Sequence, residues 1–247
     1  MNHADTPVLT DVPPNDYTAA FVLASLVAGY PDQEFEKNAR LLWSELSPAI
    51  IEADPWKSFE EKLLAILESP DAAASAVRDL CSEYIELFDR GRAYNPIHET
   101  EFGRARSMFK TTELADISGF YRAFGVELGE GESSKELPDH VAVELQFYAI
   151  LLMKQTWLEQ QRDEAGVAIV LDARRKFLAD HLGRFVDVIC ECSGVRGSSW
   201  YGAAFRWIAH LVRTECELLG VTPDRVSLLP RERESEEVNC GAASLRT

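Results

Sequence analysis

At 247 residues the chain can bury a sizeable core within one domain, and its 46% hydrophobic and 10% aromatic content is that of a globular protein. A formal charge of -16 excludes a general binder of nucleic acid or of anionic membranes, since either needs a basic face. It suits a basic partner, or solubility alone.

The polar, acidic N-terminus MNHADTPVLTDVPPND has neither the basic start nor the apolar centre of a secretory signal. The longest apolar run, Phe147 to Met153, is far short of the ~20 residues of a membrane span, so a cytoplasmic protein is expected. Helix punctuation then recurs down the chain. Asn15 or Asp16 caps a first helix that Gly29 and Pro31 stop. Phe35, Ala39, Leu42 and Leu46 mark a second, ended by Pro48. Asp54-Pro55 and Ser69-Pro70 open two more, with proline at the first helical position. The second of these carries a stripe of Val77, Leu80, Cys81, Tyr84, Leu87 and Phe88. "TTELADISGFYRAFG" opens on a threonine cap and closes on Gly125, and residues 126–137 read as a linker rich in Gly, Ser and charge.

"PDHVAVELQFYAILLMKQ" follows, helical as far as Arg162 and apolar on nearly every side, which places it at the centre of a bundle. Asp139 at its head suits both the free N–H groups and the positive end of the dipole. A further helix runs from about Ala168 to Cys192, bent near Gly183, and the last runs from a cap at Ser198 or Ser199 to Gly220. Nothing alternates with period two for long enough to need a sheet. The expected fold is all-α: about eight helices around a central apolar one, with a polar segment at 1–15, the domain at 16–222 and an acidic tail at 223–247.

Chemical motifs are sparse. "GEGESSK", from Gly129 to Lys135, misses the phosphate-loop spacing and follows no strand, so it reads as linker. Cys190 and Cys192 lack a second ligand pair, and an odd count of five cysteines points to free thiols. His140 and Glu144, at i and i+4, form the one acid–base pair on a single helix face, and it lacks a nucleophile or further ligands. His181 and His210 read as packed residues of apolar helices.

Four blocks in order resemble the TorD/DmsD/NarJ family of assembly chaperones for molybdenum enzymes. These are "FVLASLVAGYPD", "EYIELFDRGRAYNPIHETEFG", "ADISGFYRAFGVEL" and "PDHVAVELQF". The last places Pro-Asp-His before Glu-Leu-x-Phe, which is the family's signature. Ile97-His98 departs from the aromatic residue that relatives carry there, and the acidic tail matches no motif.

The resemblance implies a cytoplasmic, non-enzymatic chaperone of anaerobic respiration. Its partner would be the apo catalytic subunit of a molybdopterin oxidoreductase, held for cofactor insertion, together with that subunit's N-terminal twin-arginine segment. It implies no cofactor or metal of its own, and it leaves guanine-nucleotide binding without a supporting motif. It also implies a monomer or a helix-exchanged dimer hinged at the linker. The client-binding residues it implies are Tyr84, Leu87, Phe88, Pro96, His98, Glu99, Tyr121, Pro138, Asp139, His140 and Glu144. Carboxylates at Asp139 and Glu144 would pair with client arginine beside an apolar groove of Tyr84, Leu87 and Phe88. Ordinary readings stand beside these: Asp139 as a pure cap, the aromatic stripe as core, Glu144 as an internally paired group. Two other classes stay open, a metal-dependent hydrolase built on His140 and Glu144, and a permanent structural subunit.

Overall fold

A computed structural model describes residues 16–46, 50, 54–67, 70–103, 110–127 and 136–228. The N-terminal segment 1–15, linker residues 128–135 and tail residues 229–247 lie outside the described residues, as do Pro48 and Cys240. Among the described residues there are helices and turns and no strand, as the spacing of caps and stripes predicts.

The helices are α1 (Asp16–Ala28), α2 (Phe35–Ser44), α3 (Asp54–Leu67), α4 (Pro70–Tyr84) and α5 (Lys110–Ala123), then α6 (Val141–Gln161), α7 (Glu164–Phe177), α8 (Gly183–Ile189), α9 (Ser193–Gly197) and α10 (Trp200–Leu219). Helix α5 already includes Lys110, so the threonines at 111 and 112 lie in its first turn and do not cap it. Gly125 follows it with φ +70°, the left-handed conformation that suits glycine. Helix α6 ends where its periodicity stops, with Arg162 left-handed at φ 58°. Ser198, not Ser199, provides the side-chain cap of α10, its Oγ accepting from Tyr201 N at 2.8 Å.

Two helices continue into wide π-helical turns, Ile85–Arg90 after α4 and Leu178–Leu182 after α7. A glycine follows each. A Cβ on Gly91 would sit 2.5 Å from Leu87 O, and one on Gly183 would sit 2.4 Å from Leu178 O. Close approach by the wide turn's carbonyl, rather than an unusual φ, requires glycine at both places. The bend expected near Gly183 is this second turn.

Helix α6 is central, as its apolar circumference predicts. Val141, Leu145, Phe147, Tyr148, Ala149 and Leu151 are all buried, with α1 along one side and α7 along another. Small residues on α1 (Ala20, Ala24 and Ala28, all fully buried) allow that close approach. Helix α10 forms a second buried axis against α1, α3 and α8, where Phe59 stacks on Trp207 at 5.1 Å between centroids and Trp56 meets the same indole edge-on.

Deep in the bundle, Arg174 of α7 pairs with Glu215 of α10, and Tyr148 of α6 donates to that carboxylate at 2.5 Å. Gln155 accepts another guanidinium hydrogen, so the buried charges are paired and hydrogen-bonded. The described start of the tail lies along the bundle: Val226 N donates to Arg184 O, and Gly103 N donates to Ser227 O. Cys81, Cys190, Cys192 and Cys216 are free thiols. Among the described residues, no helix is long and apolar enough to cross a membrane.

Candidate functional site

The Pro-Asp-His turn is stitched to the distant Pro-Ile-His stretch by backbone pairing. Val141 N donates to Ile97 O at 3.0 Å, Glu99 N donates to Asp139 O at 2.8 Å, and His98 and His140 form an isolated antiparallel bridge. Tyr121 holds the turn from a third direction, donating to Pro138 O at 2.7 Å. Ser25 of α1 donates to Ala142 O at 2.8 Å. Four segments far apart in sequence thus converge on the start of α6.

The aspartate at that start does not cap the helix. His140 does, its Nδ1 accepting from Ala142 N at 3.0 Å. Asp139 turns sideways instead: Oδ1 lies 3.1 Å from His98 Nδ1, and Oδ2 accepts from Thr100 at 2.5 Å. Burial works against the Asp139 charge, but these hydrogen bonds outweigh it and hold the carboxyl down at about 2. An ionised Asp139 accepts from His98 Nδ1, which fixes the orientation of that ring.

His140 is fixed in a single tautomer. Its Nδ1 lone pair is taken by the cap, so Nε2 carries the hydrogen, 3.1 Å from Tyr84 Oη. Burial, with a smaller contribution from His98, pushes its pKa down to about 3, so the ring is neutral at physiological pH. The rings of His98 and His140 meet edge to face, with centroids 5.0 Å apart.

Together these groups form the back of an open cleft of about 370 Å³ between the π turn after α4 and the head of α6. Its walls bring in Tyr84, Phe88, His98 and His140, four of the residues that the resemblance implied. Leu87 is half-buried and does not line it, nor do the buried Pro96 and Glu99. Tyr121, Pro138 and Asp139 position the turn from behind. Glu144 is fully buried, so neither it nor Asp139 offers open surface to a client arginine. The reason is geometric: Asp139 immediately precedes the cap, and Glu144 lies in the first turn, of a helix that is covered all round.

Glu144 also does not pair with His140. Neither carboxyl oxygen has a hydrogen-bond partner among the described residues, and burial, followed by the charges of Glu99 and Asp139, pushes its pKa well up. Its surroundings favour the neutral acid over the carboxylate, and Glu99 beside it is tied to His181 at 3.1 Å and to Arg184.

The cleft contains residues that sequence reasoning missed: Tyr30, Asp89, Arg92, Ile97, Glu136 and Leu137. Asp89 adjoins Phe88, and Glu136 lies four residues before His140 in sequence, the only signals that pointed to them. Tyr30 and Leu137 are 47% and 44% exposed, large apolar groups beside the opening.

Among the described residues, one set of donor atoms has spacing suited to a metal ion: those of His98, Glu136 and His140, all within 4.8 Å of one another. His140 does not suit the role. A histidine ligand donates its second ring nitrogen to a partner, whereas His140 Nδ1 accepts there, so Nε2 has no lone pair for a metal. A larger depression, about 570 Å³, lies between Phe124, Trp157 and Ile169, and it includes none of the candidate residues.

A family model described as the nitrate reductase delta subunit matches residues 47–191, more than half of the chain and all of the cleft except Tyr30. The nitrate reductase molybdenum cofactor assembly chaperone NarJ of Escherichia coli (strain K12) is 33% identical over 97 residues, 39% of this chain and 38% of that protein. The chlorate reductase assembly chaperone protein of Ideonella dechloratans is 28% identical over 135 residues, 55% of this chain and 65% of that protein. Each match therefore spans less than two thirds of the relative's length.

Proposed function

Since the chain belongs to the nitrate reductase delta subunit family, we propose that it is a non-catalytic assembly chaperone. Its client is the apo catalytic subunit of a molybdopterin-containing oxidoreductase, held in the cytoplasm until its cofactor is inserted. The cleft at the head of α6 receives the client's N-terminal segment and, where that segment is a twin-arginine signal, delays export. Supporting this are the relatives' names, which describe assembly chaperones for a nitrate and a chlorate reductase.

The observation that carries the reading is the convergence of separate sequence blocks on one open cleft. Tyr84, Phe88 and His98 come from one block and His140 from another, at the head of α6, and polar and apolar side chains line the opening together. That arrangement suits an extended or helical peptide with both polar and apolar side chains. It does not suit hydrolysis: the proton-bearing Nε2 of His140 is engaged by Tyr84, and Glu144 is sealed away from the cleft.

The purified chain mixed with the apo catalytic subunit should migrate as a complex in size exclusion. Mature, cofactor-loaded enzyme purified from the host should lack it. Stable retention in the mature enzyme would instead make the chain a permanent subunit, and no complex with the apo subunit would overturn the proposal.

A further inference from the structure

The wide turn after α4 brings Phe88 and Asp89 to the cleft, and Arg92 follows just beyond Gly91. Asn95 closes that stretch. It is buried, and both polar atoms of its side chain are used. Nδ2 donates to Leu87 O at 3.3 Å and to Gly91 O at 3.4 Å, one carbonyl within the turn and one at its end. The Asn95 backbone N–H also donates to Gly91 O, at 3.0 Å. On the other side, Oδ1 accepts from Gly194 N at 2.9 Å, in a segment 99 residues further along.

Helix α9 needs that acceptor. Its own cap residue is Cys192, whose thiol makes no cap hydrogen bond and donates to Val188 O instead. A helix start leaves N–H groups to be satisfied, and Asn95 does for α9 what a capping side chain does elsewhere. The fit requires glycine at 194, where a Cβ would sit 2.6 Å from both Oδ1 and Nδ2 of Asn95. A Cβ on Gly91 would sit 3.1 Å from Nδ2. The amide therefore has one orientation, with its donors toward the carbonyls and its acceptor toward the N–H. Because α9 packs on the buried α10, the amide ties the turn to the interior and not to a surface loop.

Resting on the reading of this cleft as the client site, we infer that Asn95 is a positioning residue for client binding: it bolts the wide turn to α9 and so sets where Phe88, Asp89 and Arg92 stand. A wide turn holds a surplus residue, and the ordinary helical spacing competes with it. Asn95 holds it open from the side without meeting the client, being buried and outside the lining of the cleft. Phe88 has a second support, Tyr201 edge-on at 5.2 Å. Asp89 is exposed, so its place follows the backbone that the amide holds.

The test compares Asn95→Ala and Asn95→Asp with wild type in the full chain, by amide hydrogen exchange and by titration with the apo catalytic subunit of the host's molybdopterin oxidoreductase. Aspartate keeps the acceptor for Gly194 N and removes both donors to the turn. In Asn95→Asp, exchange at residues 85–94 should quicken by about tenfold, the scale of one lost buried hydrogen bond, while residues 193–197 stay protected. In Asn95→Ala both stretches should quicken. Folded molecules of either variant should bind the subunit about tenfold more weakly. Arg174→Ala, which loosens the interior instead, is the comparator, and its folded molecules should bind as wild type does. Exchange at 85–94 equal to wild type in both variants overturns the assignment. So does unchanged affinity in folded Asn95→Asp, or failure of both variants to fold. A turn that exchanges faster as expected, in a chain whose wild type forms no complex with the apo subunit, upholds the bolt to α9 and overturns the chaperone reading.

Discussion

Helix α6 carries two polar clusters about two turns apart, and they are built in opposite ways. The inner one, Tyr148 with Arg174 and Glu215, is closed: charges are matched, hydrogen bonds are made, and three helices are locked in register. The outer one, at the Pro-Asp-His turn, is left incomplete. Asp89 is exposed at the opening, Glu136 is half-buried beside it, and among the described residues the Glu144 carboxyl behind them has no hydrogen-bond partner. A satisfied network holds a fold together, whereas groups left wanting partners at an open surface are where a ligand gains most.

The largest expected effect breaks the closed cluster. Arg174→Ala leaves the Glu215 carboxylate buried without its partner and should lower unfolding free energy by about 3–5 kcal/mol in urea titrations. The affinity of folded molecules for client peptide should not change. A loss below about 1 kcal/mol would erase the contrast between the clusters.

The second test concerns acid and the outer cluster. His140 has a folded pKa of about 3 against an unfolded value near 6.5, so below pH 6.5 the unfolded chain takes up the proton first. Stability is complete above 6.5 and falls on acidification, by about 2 kcal/mol at pH 5. His140→Asn keeps a capping acceptor without the titration, so denaturation at pH 7 and pH 5 should show that increment vanish.

Glu144 has the opposite sign. Its raised pKa lets the folded chain keep a proton that the unfolded chain releases near 4.3, so its contribution is full in acid and lost as pH rises toward the folded value. Glu144→Gln should flatten that alkaline decline and gain about 1 kcal/mol or less at pH 8, measured by melting curves. The smallest expected change in stability is at the cleft opening. Glu136→Gln should stay within about 0.5 kcal/mol of wild type, as expected for a partly exposed group outside any closed network.

The fold was legible because capping residues, prolines and apolar stripes all pointed to helices, and the central place of α6 followed from its apolar circumference. The meeting of several candidate residues was legible too, since the block carrying Tyr84 and His98 packs against the one carrying His140. The division of labour within it was not. Asp139 looks like a cap and a contact in sequence, but only the folded backbone shows its carboxylate rotated toward His98 and Thr100, with His140 capping instead. Glu136 looks like the end of a charged linker, and nothing in its spacing shows that Glu136 and Leu137 line the cleft. The motif residues mostly build the turn, and the residues beside them form its open face.

The wide turn at Ile85–Arg90 determines where that face points. A π turn is an α-helix holding one surplus residue, so its geometry is in effect an insertion. Deleting one residue there would let the helix rewind and swing everything after it by about 100° around the axis. Phe88 and Asp89 would leave the opening while α4 kept its packing, and the glycine at 91 would lose its steric purpose. Sequence length in this turn, more than side-chain identity, therefore sets which side chains line the cleft.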